Sequence, residues 1–110
     1  LMVMPNLFQH LPTDLPAELF ETLASSSHIN IERIVSRGHI TSEQDWYDQE
    51  WHEWVILLQG EARLAIAAQA EEISLKPGDY IYLPAHLKHR VTFTPPDIDT
   101  IWLAVHFSPE

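Results

Sequence analysis

Apolar and polar side chains alternate along most of this chain, in short runs that turn-forming residues interrupt. Runs of strand length cover 30–36, 53–59, 62–68, 72–75, 79–83, 88–94 and 99–107. Between them stand Gly38, Gly60-Glu61, Gln69-Ala70-Glu71, Lys76-Pro77-Gly78-Asp79, Pro84-Ala85 and Pro95-Pro96-Asp97. Such residues favour turn backbones or lack the N–H that a β ladder needs. Many short strands with evenly spaced turns predict a sandwich or closed barrel rather than alternating strands and helices.

The first 28 residues follow a different pattern. Residues 1–12, with Pro5 and Pro12, show no period and read as an extended arm. Thr13 or Asp14 then offers a helix cap with Pro16 in the first turn. Leu15, Leu19, Phe20 and Leu23 recur at helical spacing up to about Ala24, where Ser25-Ser26-Ser27 ends the stripe. The expectation is one domain: an arm and short helix over 1–28, then an all-β barrel over 29–110.

Strand alternation assigns side chains to faces. Glu53 shares a face with Val55 and Leu57. If His89 opens its strand pointing inward, Val91 and Phe93 follow it, while Arg90, Thr92 and Thr94 face out. Leu64 and Ile66 likewise oppose Arg63. His106 shares parity with Trp102 and Ala104, so it faces the interior if that set does, and solvent if Ile101, Leu103 and Val105 form the inner face. A lone carboxylate or imidazole among apolar neighbours is costly, and tolerable when each binds the other or a metal.

Composition narrows the functional classes. Six basic against sixteen acidic residues give a formal charge of -10, which repels phosphate backbones and argues against nucleic acid as a partner. The longest apolar runs, such as Trp54 to Leu58, are five residues, far short of the roughly 18 a membrane helix needs. Cysteine is absent, which removes disulfides, thiolate ligands and cysteine nucleophiles and fits a cytoplasmic setting. Leu1 is not an initiator Met, and the opening residues lack the charged start of a signal peptide. Seven histidines are the notable excess, because imidazole is both metal ligand and near-neutral proton carrier. Glycine-rich phosphate loops and a Gly-x-Ser-x-Gly elbow do not occur.

Two stretches resemble a known family. Glu53-Trp54-Val55-Ile56-Leu57-Leu58-Gln59-Gly60 is similar to the second half of the first cupin motif, where Glu precedes Gly by seven positions. Gly78, Pro84 and His89 are spaced like the second motif, with Lys76-Pro77-Gly78-Asp79 as its most specific fragment. The resemblance covers roughly residues 30–107. It implies an antiparallel jelly-roll β-barrel, one divalent metal ion (zinc, iron, manganese or nickel) and a homodimer, for which the arm and the exposed aromatics would serve. It also implies that Glu53 and His89 are metal ligands and that a small molecule binds in the barrel.

The chain departs from the family where the first motif normally opens with His-x-His. With three residues intervening before Glu53, the matching positions hold Tyr47 and Gln49; with four, Trp46 and Asp48. His86 stands where Gly is common, as a third ligand or an exposed turn residue. Gln49 is a neutral oxygen ligand or a hydrogen-bonding strand residue, and Asp48 a ligand or a surface charge. Tyr47 lines the pocket or packs as a half-buried aromatic; Tyr47 and His106 are the candidate proton carriers. Three functions stay open: a metal-dependent enzyme on a small organic molecule, a non-catalytic ligand sensor, or a metal-free structural barrel.

Overall fold

A computed structural model describes residues 3–109. Eight strands follow in order: β1 (Leu19–Ser25), β2 (Ile29–Ser36), β3 (His52–Gln59), β4 (Ala62–Ile66), β5 (Ile73–Leu75), β6 (Tyr80–Leu83), β7 (His89–Phe93) and β8 (Thr100–Phe107). They form two antiparallel sheets, one ordered β1-β2-β8-β3-β6 and the other β5-β4-β7. Strands β2 to β8 fall on the seven expected runs to within one or two residues. The fold is the expected all-β jelly roll, without its helix.

No helix forms among the described residues, and the segment expected to be one is strand β1. Its residues pair with β2, Leu19 opposite Val35 and Glu21 opposite Arg33. The stripe at Leu15, Leu19 and Leu23 suits either period. Between Pro16 and Ala24 a helix could run only about two turns, and helices that short are marginal alone. The open edge of β2 supplies a full ladder instead, and the Glu21 carboxylate accepts from the Arg33 guanidinium directly across it.

The arm preceding β1 lies against its own chain. Arg33 donates to the carbonyls of Leu7 (3.1 Å), Gln9 (2.7 Å) and His10 (3.4 Å). Arg37, four residues on and so on the same face, donates to Asp99 (2.7 Å) and to the carbonyls of Pro12 (3.0 Å) and Thr13 (3.2 Å). Arg33 is 5% exposed, and a buried guanidinium must have its donors matched. Those carbonyls do that, so the arm caps the outer face of β2.

The opposite faces of the strands meet in one core. Ile34, Val55, Leu57, Leu64, Ile66, Leu83, Trp102 and Ala104 pack there with Ala62 and Leu75. Each fully buried side chain of the size of Leu or Ile contributes about 1.5–3 kcal/mol. The expected inward set on β7 holds for His89 and Val91 but not beyond. The β4–β7 ladder slips between Arg63 and Leu64, so Arg63 faces Phe93 while Leu64 faces Val91. A bulge advances one strand by a residue and exchanges its faces. Phe93 therefore lies beneath the Arg63 guanidinium, 4.7 Å from the ring centre, and Thr94 is buried, donating to the His39 carbonyl.

Gly60 closes the turn between β3 and β4 with φ +91°. A Cβ there would stand 2.4 Å from Thr100 Oγ1 and 2.8 Å from Thr100 Cα. Thr100 is fully buried in β8 and has no room to retreat. Gly60→Ala is expected to cost at least about 2 kcal/mol, from left-handed backbone strain and the forced separation of turn and strand. Denaturant unfolding of the variant beside Gly78→Ala checks this. Gly78 has the same sign of φ but open space at its Cβ, so its loss is the smaller.

Candidate functional site

The two sheets enclose a cavity of about 250 Å³. Apolar side chains make most of its wall, among them Ile34, Val55, Leu64, Leu83 and Val91, with Phe20 and Trp102 as aromatic faces. Set into that wall are Glu18, Glu32, Glu53, His89, His106, Tyr47 and Gln49.

Glu53 and His89 meet there, both nearly inaccessible to solvent. Glu53 enters from β3 by its parity with Val55 and Leu57. His89 enters as the first residue of β7, and its Nδ1 lies 2.9 Å from the Leu87 carbonyl. A carbonyl can only accept, so Nδ1 carries a proton, and in the neutral form of the ring it is Nε2 that turns a bare lone pair to the cavity. That Nε2 is 3.7 Å from Glu53 Oε1, beyond hydrogen-bonding distance. The same carboxylate oxygen accepts from the Gln49 amide at 3.1 Å.

Tyr47 and Gln49 reach the cavity because residues 41–49 run along the edge of β7. Thr41 N–H donates to Val91 O, Tyr47 and His89 exchange both backbone bonds, and His86 N–H donates to Gln49 O. In this extended segment, alternate residues share a side. Tyr47 and Gln49 face in, while Asp48 faces out and pairs at 2.9 Å with His86 Nδ1. The spacing with three intervening residues is therefore the one the fold uses. Tyr47 also stacks on the His89 imidazole, with ring centres 5.5 Å apart. Burial, then the negative charges of Glu18 and Glu53, push its phenol above the ordinary range against a hydrogen bond with Thr41, so it holds its proton at neutral pH.

The remaining polar residues come from β2, β8 and the lead into β1. His106 stands directly across the β3–β8 ladder from Glu53, on the face of the buried Trp102 and Ala104. Its Nε2 lies 3.2 Å from Glu32 Oε1. Glu18 accepts from Ser36 Oγ–H, and Ser36 Oγ in turn accepts from the Trp102 indole at 3.3 Å. Burial raises the Glu18 carboxyl above its usual range, opposed by the Ser36 bond and the His39 charge. Glu32 and Glu18 are not among the residues singled out from sequence. Glu32 shares parity with Ile34, a signal usable once the inner face of β2 is known. Glu18 falls near the start of the expected helix, which concealed it.

Of the four side chains expected around a metal, the structure brings together Glu53, His89 and Gln49. His86 sits on the outer rim at φ +66°, largely exposed, with its imidazole committed to Asp48. Gln49 turns an N–H, not its oxygen, toward Glu53. Among the described residues no three His, Asp or Glu side chains converge. Metal centres with nitrogen and oxygen ligands commonly take at least three from the protein. Two donors remain here, so the set does not fit a resident metal of that kind.

The family described as Cupin domain matches residues 34–106. A solved protein from Ralstonia eutropha JMP134, provisionally named a mannose-6-phosphate isomerase, is 35% identical with a TM-score of 0.93. It aligns over 98% of this chain and 100% of its own. A cupin superfamily protein from Desulfitobacterium hafniense DCB-2 is 21% identical over 90% of this chain and 84% of its own, with a TM-score of 0.72. An RmlC-like cupin from Methanocaldococcus jannaschii is 20% identical over 90% and 87%, with a TM-score of 0.69, and shares the fold. Among curated proteins no sequence matches.

The raised Glu18 carboxyl has a measurable consequence. The folded state holds its proton to higher pH than the unfolded chain, so stability from this residue is present below the unfolded pKa and lost as pH rises through the folded one. Glu18→Gln keeps an acceptor for Ser36 and removes that loss. Its melting temperature is expected to match the native protein near pH 4 and to exceed it increasingly toward pH 7.

Proposed function

We propose, for a chain that belongs to the cupin family, that it binds a small organic molecule in the barrel and moves protons on it with paired glutamate and histidine side chains. The observation that carries this reading is that two such pairs, Glu53 with His89 and Glu32 with His106, line one cavity. The isomerase name of the Ralstonia protein supports it as a reaction class, since isomerisations proceed by proton removal and return.

In this scheme His89 is the base. Its Nδ1–H stays on the Leu87 carbonyl, so Nε2 accepts a proton from an acidified C–H or O–H of the bound molecule. The imidazolium that results stands beside the Glu53 carboxylate, which stabilises it in a site where screening by water is weak. Gln49 keeps the carboxylate in place through its amide N–H. The phenol of Tyr47 or a protonated His106 gives a proton to a neighbouring atom of the bound molecule. After product leaves, the proton held by His89 is lost to solvent while the donor regains one, which closes the balance. Apolar walls exclude water that would otherwise compete for the proton.

A second reading has one observation in its favour. His89 Nε2 and Glu53 Oε1 lie 3.7 Å apart, and these two side chains would hold a loosely bound divalent cation, which would supply Lewis-acid polarisation of the bound molecule. The two readings part on metal dependence. Protein dialysed against EDTA keeps its activity under the first and loses it under the second.

His89→Ala and Glu53→Gln are expected to lower kcat by about 10²–10⁴-fold once a substrate is in hand, as removal of a general base does. His86→Ala, which alters only the rim, leaves it within about twofold on the same reasoning. Turnover in all three variants equal to that of the native chain would sink the proposal.

A further inference from the structure

The charges that line the cavity say which molecules it rejects. Three carboxylates, from Glu18, Glu32 and Glu53, face it, and no Lys or Arg does so among the described residues. Ionised Glu32 and Glu53 match the two imidazoles even when both are protonated, and Glu18, whose proton burial holds to higher pH, adds a third negative charge once that proton is lost.

Each arginine is held elsewhere. Arg33 and Arg37 are spent on the arm, Glu21 and Asp99, on the outer side of β2. Arg63 lies over Phe93, and Arg90 over the Trp46 ring at 5.2 Å. The other sources of phosphate binding are missing too. There is no helix N-terminus among the described residues, and none of Gly38, Gly60 and Gly78 lines the cavity. A phosphate dianion entering this space would lose its water and meet three carboxyl groups, with no Lys, Arg or backbone cradle to offset them.

The aromatic surfaces add the complementary half. Trp102, Tyr47 and Phe20 line the same cavity as those carboxyl groups, and an ammonium group gains from aromatic and acidic neighbours alike. The mouth extends the same character, for Glu50 and Trp51 join Glu32 and His106 in a shallower depression. With a formal charge of -10 over the whole chain, long-range steering also favours cations.

We infer, resting on the proposed small-molecule function, that the ligand of this cavity is a compact organic cation bearing an amine or ammonium group, and that phosphorylated molecules are excluded. The similarity to a protein named for a sugar-phosphate isomerase therefore does not carry over to the substrate.

Protein-observed NMR with a panel of small fragments tests this, using matched cationic, neutral and anionic members together with mannose 6-phosphate, mannosamine and inorganic phosphate. Shifts at Val55, Leu64 and Trp102 report entry into the cavity. Cationic fragments are expected to bind at least about tenfold more tightly than neutral isosteres, with anionic ones silent, as expected for charges a few ångströms apart in a poorly solvated site. Glu32→Gln or Glu18→Gln is expected to reduce that preference several-fold while leaving neutral fragments unchanged; the native-protein ranking stands without them if either fails to fold. Mannose 6-phosphate or phosphate in the cavity overturns the inference, as does equal binding of cationic and neutral members. A cavity that takes no fragment of any charge overturns the proposed function itself, and this inference with it.

Discussion

The arrangement rests on one buried contact, the hydrogen bond from His89 Nδ1–H to the Leu87 carbonyl. It joins an imidazole to its own chain two residues back, across the turn that Pro84 begins, and so settles which ring nitrogen carries the proton. Everything polar around it then has a direction. Nε2 opens toward Glu53, Tyr47 stacks against the ring, and the backbone of residues 41–49 is tied to the same strand. Without that bond the imidazole could rotate or change tautomer, and Glu53 would face an N–H donor rather than a base. A buried carboxylate needs such order around it, because its charge is tolerable only while its donors keep their places.

A site made this way is legible in the sequence where its residues sit on regular strands. Glu53 and His89 follow from alternation, because their neighbours at two-residue spacing are apolar. His106 comes out once Trp102 and Ala104 define the inner face of β8. Legibility fails at irregularities. The bulge opposite Arg63 reversed Phe93 and Thr94; its extra residue, Thr92, lies in β7 itself, but no glycine or proline in 88–94 marks it. The N-terminal strand was misread as a helix because Leu15, Leu19 and Leu23 satisfy both periods and Phe20 adds to the helical stripe. That error hid Glu18, whose role depends on leading into β1 beside Ser36.

The placement of positive charge is equally constrained. Arg33 is buried, and it is acceptable there because three carbonyls of the arm and the Glu21 carboxylate surround it. The arm has no regular structure to order it, so the guanidinium and the arm are interdependent: each supplies what the other lacks. The cost of this fastening is that β2 directs its arginines outward while its inward positions carry Asn30, Glu32, Ile34 and Ser36. A strand that alternates in this way separates the signs of charge between its faces, and the inner side is left with acids alone.

That separation ties stability to chemistry. A jelly roll encloses its cavity with side chains that alternate in and out, so each residue that docks the arm outside determines the parity of one that lines the pocket. Shifting β2 by a single residue against β8 would bring Arg33 into the cavity and expel Glu32. The ladder of eight paired positions between β2 and β8 resists that slip, with Ile34 opposite Trp102 and Val35 opposite Ile101 buried on its two faces. Register, rather than any single polar contact, therefore sets the sign of the field a ligand meets. The carboxylates then differ by what they touch: Glu53 is fastened by Gln49, Glu32 by His106 and Glu18 by Ser36. Three acids held by three different partners are not equivalent toward a bound charge, and that inequality allows one to serve proton transfer while another serves only to attract.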